Sequence, residues 1–173
     1  MEFVDIERLE NERPRLATEF NRKPFRFLVM DGFLRPEMAE IILAEYPSTA
    51  DGVWDNTTYI DQRNKFQKTK FDAGTTMDRV FRELNSPELL DWLAQLTGIG
   101  PLIADPKLFG GGLHQSTKGA FLNVHVDYNI HPETKHHRRM NLLVYLNKNW
   151  KPEYEGYLEL WDMVAKKQIA NIA

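Results

Sequence analysis

Apolar residues recur along this chain with two periods, and the change from one to the other falls near Pro101. Before it, helical spacing dominates. A charged lead-in over residues 1–23 reads as a helix around Arg15 to Phe20, with Pro14 placed in its first turn, where a missing N–H costs nothing. Phe25 to Phe33 reads as a strand closed by Asp31-Gly32. Pro36-Glu37 then opens a helix whose apolar stripe is Met38, Ile41, Ile42 and Leu43 and which ends near Pro47. Ser48 to Thr75 has no clean period and predicts short strands and loops. Two more helices are predicted, Thr76 to Leu84 and Pro87 to Leu96. In the second, Ser86 caps, Pro87 takes the first position, Leu89, Leu90, Leu93 and Leu96 face inward, and Gly98 and Gly100 stop it.

After Pro101 the texture turns to Gly-rich turns and β-type alternation. Gly110-Gly111-Gly112 is followed by Leu113-His114 and not by Lys-Ser/Thr, so it reads as a turn and not as a phosphate-cradling loop. Ala120 to Asp127 alternates as a strand, placing Phe121, Asn123, His125 and Asp127 on one face and Leu122, Val124 and Val126 on the other. Arg139 to Asn147 alternates too, with Asn141, Leu143 and Tyr145 opposite an apolar face of Met140, Leu142, Val144 and Leu146. Helices first and strands afterwards predict an α+β fold, with helices packed on one face of a sheet.

Composition narrows the function classes. The 173 residues, 42% of them hydrophobic, suit one globular domain with a buried core. A formal charge of −3 gives no global attraction for nucleic acid or anionic lipid. With no cysteine, disulfides, thiolate zinc sites and a Cys nucleophile are excluded, and any metal must take nitrogen and oxygen ligands. The longest apolar run, Leu142 to Leu146, is far short of the roughly 20 residues of a membrane span. The amino terminus has no basic region followed by an apolar one, and the cytoplasm is the expected compartment.

All five histidines fall between residues 114 and 137, at His114, His125, His131, His136 and His137. Within that cluster, His125 and Asp127 share a strand face. An imidazole and a carboxylate two apart supply two ligands of a two-His, one-carboxylate facial triad for non-haem Fe(II). Taken alone, the tripeptide is more often a surface or hydrogen-bonded pair. The polar face of the Arg139 to Asn147 strand adds weight to the metal reading.

The ordered combination of His125-Val126-Asp127, Arg138-Arg139-Met140-Asn141-Leu142-Leu143-Val144-Tyr145-Leu146-Asn147-Lys148-Asn149-Trp150 and Glu155-Gly156-Tyr157-Leu158-Glu159-Leu160-Trp161-Asp162 resembles the prolyl 4-hydroxylase-like branch of the Fe(II)/2-oxoglutarate-dependent oxygenases. Its strongest part covers residues 110–162. The resemblance implies a double-stranded β-helix, or jelly roll, with amino-terminal helices packed on its major sheet. Residues 1–100 would be mainly helical support and 101–173 a partial jelly-roll core of one domain. It further implies Fe(II) held by His125 and Asp127, with 2-oxoglutarate and O2 as co-substrates. Tyr145 matches a tyrosine that bonds the distal carboxylate of 2-oxoglutarate, Leu158 an apolar wall of that pocket, and Asn141 and Gln115 further co-substrate contacts. His114 stands beside Gln115 in that region, and Arg138 or Arg139 is a candidate to face substrate. The implied reaction is oxidative decarboxylation of 2-oxoglutarate to succinate coupled to hydroxylation of an unactivated C–H. A carboxylate at position 127 favours hydroxylation over halogenation.

The chain also departs from the pattern. No His follows His137, so the third ligand and the basic residue that anchors 2-oxoglutarate have no match, and Gln168 to Ala173 reads as a strand cut short. A fragment lacking its last strands is therefore expected. Glu155 replaces the first glycine of a Gly-Gly pair. The substrate expected is a peptidyl proline, a free amino acid or another small metabolite, with Trp54, Tyr59 and Tyr128 as candidates for lining a groove. Two rival readings remain: a catalytically degenerate jelly-roll binding or interaction domain, and a zinc hydrolase completed by His131, His136 or His137. Pro132 and its charged neighbours predict a mobile loop between those histidines.

Overall fold

The computed structural model describes residues 1–21, 25–55 and 62–172. In chain order it contains helices α1 (Ile6–Phe20) and α2 (Pro36–Ala44), strand β1 (Gln62–Lys68), helices α3 (Thr76–Leu84) and α4 (Pro87–Thr97), strand β2 (Leu113–Leu122), a 3-10 turn at Pro152–Tyr154, and strands β3 (Leu158–Asp162) and β4 (Lys167–Ile172). These fall into two compact units: residues 1–53 with 68–113, and residues 54–67 with 114–173.

The first unit holds all four helices. α1 begins where the Asp5 side chain accepts the Arg8 N–H, and it buries Leu9, Leu16 and Phe20 along one stripe. It runs straight through Pro14, which the lead-in reading had placed at the first turn. The lost hydrogen bond is offset by burial on both sides of the proline and by ion pairs before, across and after it: Glu10 with Arg13 at 2.9 Å, Glu12 with Arg15, and Arg15 with Glu19 at 2.7 Å. Trp92 of α4 is buried and donates its indole N–H to Glu10 at 2.9 Å, fastening α4 to α1.

The capped helices match their sequence signals. Thr75 and Ser86 accept the N–H of the third residue of α3 and α4, Asp78 and Leu89, and Gly98 ends α4 in the left-handed conformation, φ 66°. In α2 Ile42 is buried and Met38 and Leu43 are half-buried, while Ile41 is 41% exposed, so the predicted four-residue stripe loses Ile41. The segment Phe25 to Phe33 is not a strand. Its turn at Asp31-Gly32 forms as expected, but the carbonyls of both residues are taken by the Arg8 guanidinium. Pairing occurs just beyond, at the Val4–Leu34 bridge.

The edge of that bridge is held by one side chain. Glu83 of α3 accepts the backbone N–H groups of Glu2, Phe3 and Val4 at 2.6–2.8 Å. Phe3 and Val4 are at most 1% exposed, so the carboxylate satisfies donors that water cannot reach. Gly112 closes the unit at a backbone crossing, where a Cβ would stand 2.2 Å from the Lys68 carbonyl oxygen.

In the second unit β1 pairs with β2, and β3 pairs antiparallel with β4 from Leu158–Ile172 to Asp162–Lys167, with a register shift at Leu160/Trp161. Helices and small antiparallel sheets make the chain α+β. A jelly roll needs about eight strands in two sheets; the described strands form two sheets of two. The shortfall lies in particular segments. The β2 ladder stops at Leu122, so the predicted strand from Ala120 to Asp127 loses its second half, and Arg139 to Asn147 is not a strand. Alternation predicts faces in the latter with one exception: Asn141, Leu143 and Tyr145 are exposed and Met140, Leu142 and Leu146 are half-buried, but Val144 of the apolar face is exposed too. A strand also needs a partner, which alternation does not supply.

Candidate metal centre

Ile130 and His137 form an antiparallel bridge, flanked by hydrogen bonds from His131 N to His136 O and from Arg138 N to Asn129 O, both 2.8 Å. This is a short hairpin, and its tip is the segment expected to be a mobile loop. The tip is instead tied down: His131 is buried, and its Nδ1 accepts the N–H groups of Glu133 and Thr134 at 3.2 Å each. The hairpin folds residues 138–141 back beside residue 127, two stretches joined by nothing local in the sequence.

Four polar side chains meet there. His125 Nε2 stands 3.3 Å from Asp127 Oδ1. Asn141 Nδ2 donates to Asp127 Oδ2 at 2.8 Å, Arg138 Nε donates to Asn141 Oδ1 at 2.7 Å, and an Arg138 terminal nitrogen lies 3.4 Å from Asp127 Oδ2. The guanidinium carbon sits 4.6 Å above the centre of the Tyr128 ring. Burial by itself would raise the Asp127 carboxyl, but the Asn141 hydrogen bond, the Arg138 charge and His125 together outweigh it and hold the group below its usual 3.8.

The proton on His125 is placed by its other nitrogen. Nδ1 lies 2.6 Å from the Asn123 carbonyl oxygen, which only accepts, so Nδ1 carries the hydrogen. Nε2 then faces an ionised carboxylate oxygen, and a cation belongs between the two, either a proton on Nε2 or a metal. Ligand atoms in adjacent positions on a metal with bonds of about 2.1 Å stand roughly 3 Å apart, close to the observed separation. Metal-bound histidines commonly donate the other ring N–H to a backbone carbonyl, as here. The pair therefore fits a metal. Among the described residues, no group of three or more His, Cys, Asp or Glu side chains gathers to hold one. No such group forms around His131, His136 or His137 either, and His131 is buried with Nδ1 accepting two N–H groups of its own turn, which leaves the zinc reading without support.

The other residues singled out by the sequence stand apart from this cluster. Tyr145 is 53% exposed, and partial burial raises its hydroxyl pKa. Leu158 is half-buried at the start of β3, opposite Ile172. Gln115 lies on β2 with its Oε1 buried and accepting no hydrogen bond. Among the described residues, no hydrogen bond or ion pair joins these three to His125 or Asp127. His114 and Arg139 are exposed. Trp54 is a core residue, 8% exposed and edge-on to Phe66, while Tyr128 carries the Arg138 guanidinium; Tyr59 lies outside the described residues. The link between Arg138 and Asp127 was not foreseen from the sequence, since it depends on the hairpin.

No curated protein and no solved structure matches the chain. Among the described residues, no helix is long and apolar enough to cross a membrane. Residues 111–172, just over a third of the chain and including His125, Asp127 and their partners, match the 2OG-Fe(II) oxygenase superfamily, whose members use Fe(II), 2-oxoglutarate and O2, and the match supports a dioxygenase-type function.

Proposed function

We propose that the chain is an Fe(II)- and 2-oxoglutarate-dependent dioxygenase of the prolyl 4-hydroxylase-like kind, with His125 Nε2 and Asp127 Oδ1 as iron ligands. The observation that carries this reading is His125 Nε2 facing Asp127 Oδ1 at 3.3 Å, with Nδ1 committed to a carbonyl. It is joined by the family match over the same residues. When bound, iron supplies the redox chemistry that couples decarboxylation of 2-oxoglutarate to hydroxylation of an unactivated C–H, in a peptidyl proline, a free amino acid or a small metabolite.

The chain's own residues orient the reactants. The Nδ1–H bond to Asn123 fixes the ring plane and directs Nε2 outward. Gln115 brings a buried terminal amide whose oxygen has no donor. Turned over, the same amide presents its N–H2 to a carboxylate of the co-substrate. Tyr145 offers a phenolic O–H for the distal carboxylate.

The test is succinate formation from 2-oxoglutarate by the full-length protein with Fe(II), in air and under nitrogen. Turnover that requires both iron and oxygen, and that His125→Ala and Asp127→Ala each abolish, is the expected result. Succinate formation that persists in either variant refutes the ligand assignment; none from the unaltered full-length protein refutes the oxygenase.

A further inference from the structure

We propose that Arg138 and Asn141 form a clamp that orients the Asp127 carboxylate for metal binding, a role that rests on the ligand assignment above. The two carboxylate oxygens do separate jobs. Oδ1 faces His125 Nε2, while Oδ2 takes the Asn141 amide at 2.8 Å and lies 3.4 Å from the Arg138 guanidinium. Arg138 also bonds the far end of the same amide at 2.7 Å, so Asp127, Asn141 and Arg138 close a ring of polar contacts. The guanidinium is held in turn over the Tyr128 ring.

That ring constrains a torsion that is otherwise loose. The terminal rotation of an aspartate is broad, and a free carboxylate is able to swing both oxygens onto a metal. With Oδ2 occupied, Asp127 offers one oxygen and takes one coordination position, leaving the remainder open. The clamp also draws both arms of the 129–138 hairpin into the site, since Asp127 precedes the hairpin and Arg138 and Asn141 lie at and beyond its end. Arg138 and Asn141 are accordingly positioning residues, acting through Asp127 and each other and not on substrate or co-substrate.

The experiment measures Mn(II) affinity of the full chain by the electron paramagnetic resonance of free Mn(II), an oxygen-inert probe of the site, with far-UV circular dichroism as a check on folding. Arg138→Ala and Asn141→Ala should each weaken binding by roughly 10- to 100-fold, the usual effect of losing a ligand's supporting partner. The double variant should lose little more than either single one, because both act on the same oxygen. Arg138→Lys keeps the charge without the two-point geometry and should recover part of the affinity. Arg139→Ala, an exposed neighbour, should bind as the unaltered chain does. In metal-free protein, Arg138→Ala and Asp127→Ala should shift the side-chain amide resonance of Asn141, a readout that survives if an affinity variant folds poorly. Affinity unchanged in both Arg138→Ala and Asn141→Ala, or an amide resonance indifferent to both changes, overturns the clamp alone. An unaltered chain that takes up no Mn(II) overturns the metal reading and the clamp together.

Discussion

Glu83→Ala probes the contact that ties the amino terminus to the first unit. Its carboxylate accepts three backbone N–H groups, and two of them belong to residues that are at most 1% exposed. The Glu2 N–H, in an exposed bond, rehydrates at little cost. The Phe3 and Val4 donors do not, and each buried donor stripped of a charged acceptor costs about 1–3 kcal/mol, which sets the loss near 4 kcal/mol, with a floor of about 2 if water enters the vacated space. Peeling the segment away offers no cheaper escape, since exposing Phe3 and Val4 forfeits about 1.5–3 kcal/mol apiece. The assay is urea unfolding followed by far-UV circular dichroism, which reports the four helices of the first unit. Glu83→Gln keeps an acceptor oxygen but no charge, and should lose about half as much. A Glu83→Ala midpoint equivalent to less than about 1 kcal/mol of destabilisation, at unchanged slope, would refute the argument that these donors depend on the carboxylate.

Two further perturbations test the same unit. The Asp78 carboxyl is held below its usual 3.8, first by the Gly74 N–H at 2.9 Å and then by Arg82, against the opposing effect of burial. A depressed carboxyl contributes stability that is present above about pH 4 and lost as pH falls through its folded value. Asp78→Asn should therefore lower the urea midpoint at neutral pH and flatten the decline below pH 4, and an unaltered acid limb counts against the assignment. Gly112→Ala should cost about 2–5 kcal/mol, combining left-handed backbone strain with a Cβ pressed against backbone; φ there is +92° and the Lys68 oxygen lies 2.2 Å away. Gly74→Ala, also at positive φ but with open space around it, should cost only the strain, about 1–2 kcal/mol. Equal losses at the two glycines would show that the crossing at Lys68 relaxes.

Elements specified by neighbouring residues were legible in the chain. Ser86 with Pro87, Thr75 before α3 and Pro36 at the head of α2 all start helices where local chemistry says they should, because a cap or a fixed φ acts within one turn. His125 and Asp127 were also readable, since residues two apart in extended chain share a face whether or not a ladder forms. Pro14 was misplaced because its local preference was overridden by Leu9, Leu16 and Phe20 packing along one continuous stripe.

Other features required the tertiary structure. Whether Phe25 to Phe33 or Arg139 to Asn147 becomes a strand depends on a partner that alternation never names. Glu83 reaches a segment some eighty positions away, and nothing in its own neighbourhood marks it as the anchor of Phe3 and Val4. At the candidate metal centre the sequence placed His125 and Asp127 two apart on one face, while the hairpin around Ile130 and His137 decided which side chains surround them. The physical reason is range: caps, turns and shared strand faces are set by steric and hydrogen-bond geometry over a few residues, whereas the partners of a buried N–H or of the Asp127 carboxylate are chosen only when distant segments are folded against each other.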